Sequence, residues 1–273
     1  MELMTAADLG PLATAPAGLR IPYGTDSLQF GELSVPSGAG PHPVVVNVHG
    51  GVWLAEYDLS HTRAEAQALA QAGFAVWNIE YRRVGNAGGG WPGTFLDVGA
   101  AADYTRRLAR DHALDLERAV AMGHSAGGHL ALWLGARHRI ARGSDIHVKD
   151  PLALRGVVAL APATDLESLH SRGAYDRVVE RLMGGSPAAR PERYDAAMPS
   201  RLMPLGIAQR LVTGRHDTDW GEFSETYLAS ARERRDERVD LRIIEDAGHF
   251  ELINPAARPW QDVLQALREL IPG

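Results

Sequence analysis

Residues 123–127 read Gly-His-Ser-Ala-Gly, a G-x-S-x-G pattern whose central Ser125 is a candidate nucleophile for acyl transfer. The pentapeptide alone is a weak signal, and its neighbours give it weight. It follows the strand-like run RAVAM and opens the helix-like run AGGHLALWLGAR. A sharp strand-to-helix turn lifts a serine hydroxyl above a sheet and holds its backbone in a strained conformation. Side chains at Gly123 and Gly127 would collide with the elements that cross there. The turn also aims the amide of Ala126, at a helix start, at the reacting centre.

A serine needs a base, and the base must later protonate the leaving group. Of the 11 histidines, His249 fits this role: it lies in DAGHF, between the strand-like VDLRIIE and the last helix. A carboxylate must orient that imidazole. Asp217 lies in GRHDTDW directly after the strand-like QRLVT, and that position favours it over Asp219, two residues on. His124 stands on the wrong side of the turn to share the Ser125 proton and reads as a packing residue, as does His129. Asp246 and His216 read as loop residues.

Donors for an oxyanion are expected from His49-Gly50-Gly51-Val52-Trp53, which follows the apolar run VVVNV. The amides of Gly51 and Val52 join that of Ala126 as candidates, while Gly50 shapes the turn and His49 braces it. Trp53 either borders the pocket or anchors the loop in the core.

These loops need a frame to hold them together. Val44–Val48 and Phe74–Ile79 are short continuous apolar runs, the pattern of strands buried on both faces. Further strands are expected over 28–35, Arg118–Met122, Leu154–Leu160, Gln209–Thr213 and Val239–Ile244. Helices are expected over 61–72, 95–112, Ala126–His138 and 256–271, and residues 1–20 read as an irregular lead-in. Strands alternating with helices predict a mostly parallel central sheet with helices on both faces, and a site at the strand carboxyl ends. Residues 163–208 interrupt the rhythm and are expected to form a small cap-like insertion within a single domain spanning 1–273. Tyr175, Met183 and Tyr194 in it are the candidates to shape a substrate pocket.

The whole chain narrows the field further. With 273 residues, 45% of them hydrophobic, it can bury one sizeable core. A net charge of −6 gives no electrostatic reason to expect nucleic acid or an anionic membrane as partner. The absence of cysteine excludes thiolate catalysis and disulfides, and no HExxH or other metal-ligand spacing occurs. The N-terminus lacks a signal-peptide pattern and no run suits a membrane span, so a cytoplasmic location is expected. Oligomeric state is not encoded in any pattern.

Taken together, HGGVW, GHSAGGHLA and the order Ser125, Asp217, His249 resemble the α/β-hydrolase esterases related to kynurenine formamidase, feruloyl and acetylxylan esterases and hormone-sensitive-lipase-type carboxylesterases. NIEYRRVG and LMGGSPAARPERYDAAMPS extend the resemblance over roughly residues 28–270. Val52 stands where formamidases often carry an aromatic residue, and the third glycine of lipase-like members is missing. The resemblance implies an α/β-hydrolase fold and acyl-enzyme chemistry without a cofactor on a small carboxylic ester. The alternatives are an arylformamidase acting on N-formylkynurenine, another small amidase or peptidase, and a catalytically silent ligand-binding member of the same fold.

Overall fold

An all-valine run broken by one asparagine has no polar face to offer water, so it can only be an inner strand. The computed structural model describes residues 3–236 and 238–271 and places this run at the centre of an eight-stranded sheet. The strands are β1 (Leu19–Pro22), β2 (Phe30–Ser34), β3 (His42–Val48), β4 (Ala75–Ile79), β5 (Leu114–His124), β6 (Gly156–Leu160), β7 (Ala208–Gly214) and β8 (Val239–Ile244). Their order is β1-β2-β4-β3-β5-β6-β7-β8. The first two join by antiparallel pairing, and β4 through β8 pair in parallel.

The helices are α1 (Gly10–Ala13), α2 (Arg63–Gln71), α3 (Gly93–Asp111), α4 (Ala126–Ala136), α5 (Leu166–Ser171), α6 (Ala174–Met183), α7 (Pro191–Ala197), α8 (Gly221–Glu233) and α9 (Trp260–Leu270). Two apolar layers sandwich the sheet. Val44, Val46 and Val48 pack with residues of α3 and α4, whereas Val45 packs with α2 and α9. That alternation is what a pleated strand buried on both faces requires. Every residue of α4 is buried, in keeping with a sequence that is apolar all round except for His129. No helix among the described residues is long and apolar enough to cross a membrane.

One segment differs from the pattern-based expectation. Part of the lead-in is ordered: a 3-10 turn at Ala6–Leu9 runs into α1, and Leu19–Pro22 pairs as β1. Neither shows a period because each is one turn or four residues long, and each is held by contacts with distant residues. The segment 163–208 folds into three short helices whose Val178, Val179, Leu182, Ala196 and Ala197 are buried in the layer that also holds α3 and α4.

Strand order positions the site. The chain runs from β3 to β4 on one side and then returns to β5 on the other, so a crevice opens above β3 and β5. Val48 stands level with Gly123, which sets the loop after β3 beside the turn after β5.

Candidate active site

Ser125 sits where β5 ends and α4 begins, with φ 55° and ψ −121°. A non-glycine residue with this backbone is strained by ~1–3 kcal/mol, so its surroundings must hold it. They do so through the backbone: Ser125 N–H donates to the Leu160 carbonyl (2.8 Å), and its own carbonyl accepts from Ala163 (3.1 Å) and His129 (3.1 Å). Close packing needs the flanking glycines. A Cβ on Gly123 would lie 2.3 Å from the Gly127 carbonyl oxygen, and one on Gly127 would lie 2.0 Å from that of Val48.

His249 Nδ1–H donates to Asp217 Oδ2 at 2.7 Å. The other carboxylate oxygen of Asp217 accepts the Trp220 amide (3.0 Å), so this buried side chain is aimed from both ends. Asp219 is exposed and forms no hydrogen bond to His249. Ser125 and His249 line one cleft of about 140 Å³. No hydrogen bond joins the Ser125 hydroxyl to a partner among the described residues, which leaves it free to turn towards the imidazole.

Gly51 and Val52 line the same cleft. Among the described residues, their amides and that of Ala126 donate to no backbone or side-chain acceptor. Three residues in a row take positive φ here: Gly51 (104°), Val52 (45°) and Trp53 (58°). The segment after β4 supports this strain. Val84 N–H donates to the Trp53 carbonyl (2.9 Å), and Ala55 N–H donates to that of Val84 (3.0 Å).

Beneath the loop lies a buried polar network. The Tyr81 hydroxyl donates to the His49 carbonyl (2.8 Å), and the Tyr81 ring stacks on the His49 ring with centroids 4.4 Å apart. His49 Nδ1–H donates to the Gly50 carbonyl (2.8 Å), and Arg83 bridges His49 Nε2 and the Glu80 carboxylate. Glu80 also accepts the amides of Tyr81 (2.8 Å) and Leu59 (3.1 Å). Glu80, Tyr81 and Arg83 thus brace the loop, whereas Arg82 pairs with Asp97; in the sequence this stretch carried only a family resemblance, with no role attached. Tyr81→Phe leaves the buried His49 carbonyl without its donor. It is expected to cost ~1–2 kcal/mol in urea unfolding and to lower kcat of any hydrolysis at this site more than it raises KM.

His124 lines the cleft beside Ser125 and His249, and its Nε2–H donates to the His249 carbonyl (2.9 Å). Burial holds this imidazole well below its ordinary pKa, helped by neighbouring His249. His129 donates to the Ala197 carbonyl (3.0 Å) and is pushed down to about 4 by burial. Burial and then His49 push His61, in the cleft wall, down to about 4 as well. These bases are neutral when folded and take up protons near pH 6.5 when unfolded. Their stabilisation is therefore full above about pH 6.5 and is lost as pH falls from there towards 4. Urea unfolding at pH 7.5 and 5.0 checks this: His129→Leu is expected to shrink the acid loss by about 2 kcal/mol.

Of the expected pocket residues, Tyr175 reaches the cleft, half exposed and stacked on Trp220 with centroids 5.9 Å apart. The other three lie elsewhere. Trp53 is fully buried, edge-on to His129 (5.4 Å), and anchors its loop in the core. Met183 and Tyr194 are also fully buried, among the α3–α4 layer. Their apolar spacing matches the core of the short helices as well as it would match a pocket. The walls come instead from Tyr57, Trp220 and Phe250, and from Ala6 and Leu9 of the lead-in. Trp220 stacks on His249 (5.7 Å), and the strand-end position of GRHDTDW was the available signal for it. Among the described residues no cluster of three His, Asp or Glu is grouped as a metal site would be.

Comparison with known proteins places this geometry. The BD-FAE family model matches residues 33–206. Versiconal hemiacetal acetate esterase from Dothistroma septosporum is 29% identical over 140 residues, covering 51% of this chain and 40% of that protein. A bifunctional GH43-CE protein from Bacteroides eggerthii superposes with a TM-score of 0.75 at 21% identity, over 92% of this chain and 37% of that one. Esterase B from Lactobacillus rhamnosis superposes with a TM-score of 0.79 at 19% identity, over 97% of this chain and 90% of that one. The chain thus spans well under half the length of the first two of these relatives. The structural likeness establishes the fold and the family match establishes the lineage: the chain has the α/β-hydrolase fold and belongs to the BD-FAE family.

Proposed function

We propose that the chain is a serine hydrolase that cleaves a small carboxylic ester through an acyl-enzyme intermediate, as one α/β-hydrolase domain in which residues 163–208 add Tyr175 to the cleft. The observation that carries this reading is the convergence on one small cleft of a strained Ser125, a His249–Asp217 pair at 2.7 Å and the amides of Gly51 and Val52. The esterases among the relatives and the family membership support it.

In this mechanism His249 Nε2 takes the Ser125 proton as Oγ attacks the ester carbonyl carbon. The Gly51, Val52 and Ala126 amides hold the oxyanion as it forms, in a site already strained into place. His249 then passes the proton to the departing alcohol oxygen, and the carbonyl–oxygen bond breaks. A water, deprotonated by His249, attacks the acyl-enzyme, and the carboxylic acid leaves as Ser125 recovers its proton. Asp217 fixes the imidazole tautomer throughout and offsets its charge in the transition states.

A fluorophosphonate probe followed by peptide mapping tests the reading: the expected label is on Ser125. Turnover is then measured on short acyl esters, feruloyl esters, acetylated sugars and N-formylkynurenine, with short esters expected to lead. Absence of both the label and turnover on every one of them would overturn the hydrolase reading, and a clear lead for N-formylkynurenine would move it to an amidase.

A further inference from the structure

We propose that residues 3–13 form a fixed wall of the substrate cleft, with Leu9 setting the bulk of the ester group accepted there, and that Glu251 ties this wall to the His249 loop. The inference rests on the hydrolase reading for its substrate and on separate contacts for its architecture.

Ala6 and Leu9 line the cleft together with Ser125 and His249, although they lie more than a hundred residues from either in sequence. The segment is braced once within itself and pinned to the rest of the chain at two points. Thr5 N–H and Oγ1–H both donate to Asp8 Oδ2 (2.8 and 2.9 Å), which starts the turn that presents Leu9. Leu12 is buried in the layer containing α2 and α9. Met4 N–H donates to Glu251 Oε1 (2.5 Å).

Glu251 is the unusual element. It is a buried carboxylate, 7% exposed, with its two oxygens divided between two parts of the chain. While Oε1 holds Met4, Oε2 accepts the amide of Gly248 (2.8 Å), the residue before His249. Leu3 covers Gly248: a Cβ there would stand 3.5 Å from the Leu3 side chain. Asn254 Nδ2 completes the seam with a hydrogen bond to Met4 Sδ (3.2 Å). One carboxylate thereby makes the position of the wall and that of the imidazole loop depend on each other. Losing either amide leaves a buried oxygen without its donor.

Two ester series test the wall, p-nitrophenyl esters from acetate to octanoate and acetates of progressively bulkier alcohols, on the parent, Leu9→Ala and Leu9→Trp. In one series, Leu9→Ala is expected to raise the ratio of kcat/KM for the bulkiest to the smallest ester by ~10-fold or more, and Leu9→Trp to lower it similarly. Ratios equal to the parent's in both series for both variants overturn the wall. Hydrogen exchange tests the tether: Glu251→Ala is expected to speed exchange at both residues 3–13 and 247–250, and Glu251→Gln to restore part of the protection. Faster exchange in one segment alone, or in neither, overturns it. If the parent turns over none of these esters and takes no fluorophosphonate label, the hydrolase reading falls by itself. Calorimetric binding of C2–C8 carboxylates to the parent and Leu9 variants then decides the wall, with unchanged chain-length preference counting against it.

Discussion

Ser125→Ala is expected to lower kcat for a short acyl ester by about 10⁴- to 10⁶-fold, with KM within a few-fold of the parent. Under the proposed mechanism the substitution removes the only atom that forms the covalent bond, while the cleft walls and the amides assigned to the oxyanion stay in place. The residual rate measures what those amides supply without a nucleophile. The protein itself is expected to be as stable as the parent or slightly more so. The backbone strain at φ 55° remains, but the Ser125 hydroxyl has no hydrogen-bond partner to lose among the described residues. Steady-state kinetics paired with urea unfolding checks both parts. A fall of less than tenfold would remove Ser125 from the chemistry.

Gly127→Ala is expected to destabilise the fold by more than ~4 kcal/mol or to prevent folding altogether. Inside a helix the same exchange ordinarily stabilises by ~1 kcal/mol, so the predicted sign is reversed. The reason is local crowding. A Cβ at Gly127 would stand 2.0 Å from the Val48 carbonyl oxygen and 2.6 Å from that of His49, and both are backbone atoms that cannot swing aside. Relief would require α4 to move off the sheet, and with it Ser125 and the Ala126 amide. Gly10→Ala is the control. Gly10 has φ −52°, and its added methyl meets nothing within 4 Å, so its unfolding midpoint is expected to stay close to the parent's. Equal midpoints for both variants would show that the crossing of α4 over β3 is not the tight contact described here.

Several features were legible in the sequence because their causes are local. Continuous apolar runs such as Val44–Val48 must be buried on both faces. The G-x-S-x-G turn declares itself because the steric demand for glycine falls within a few residues of the serine. Strand-end loops carrying Asp217 and His249 could be located because strand and loop are adjacent in the chain. The fold class followed from the same alternation, and the family match supports it. The choice of Asp217 over Asp219 became a matter of geometry once burial and the 2.7 Å contact were in view.

Tertiary structure alone decided the walls of the cleft. Met183, Tyr194 and Trp53 are apolar at spacings that suit a pocket or a core equally, and burial assigns all three to the core. Ala6 and Leu9 sit in a stretch without any period, and they reach the cleft through distant contacts such as that of Met4 with Glu251, across 247 positions of sequence. Such a contact leaves no local pattern, because its energy depends on where two distant segments meet. The sequence by itself therefore determined seven of the eight strands, the Ser125 turn and the loops that could carry a base and an acid. The three-dimensional packing determined which side chains line the cleft, since that depends on the approach of strands and loops hundreds of residues apart.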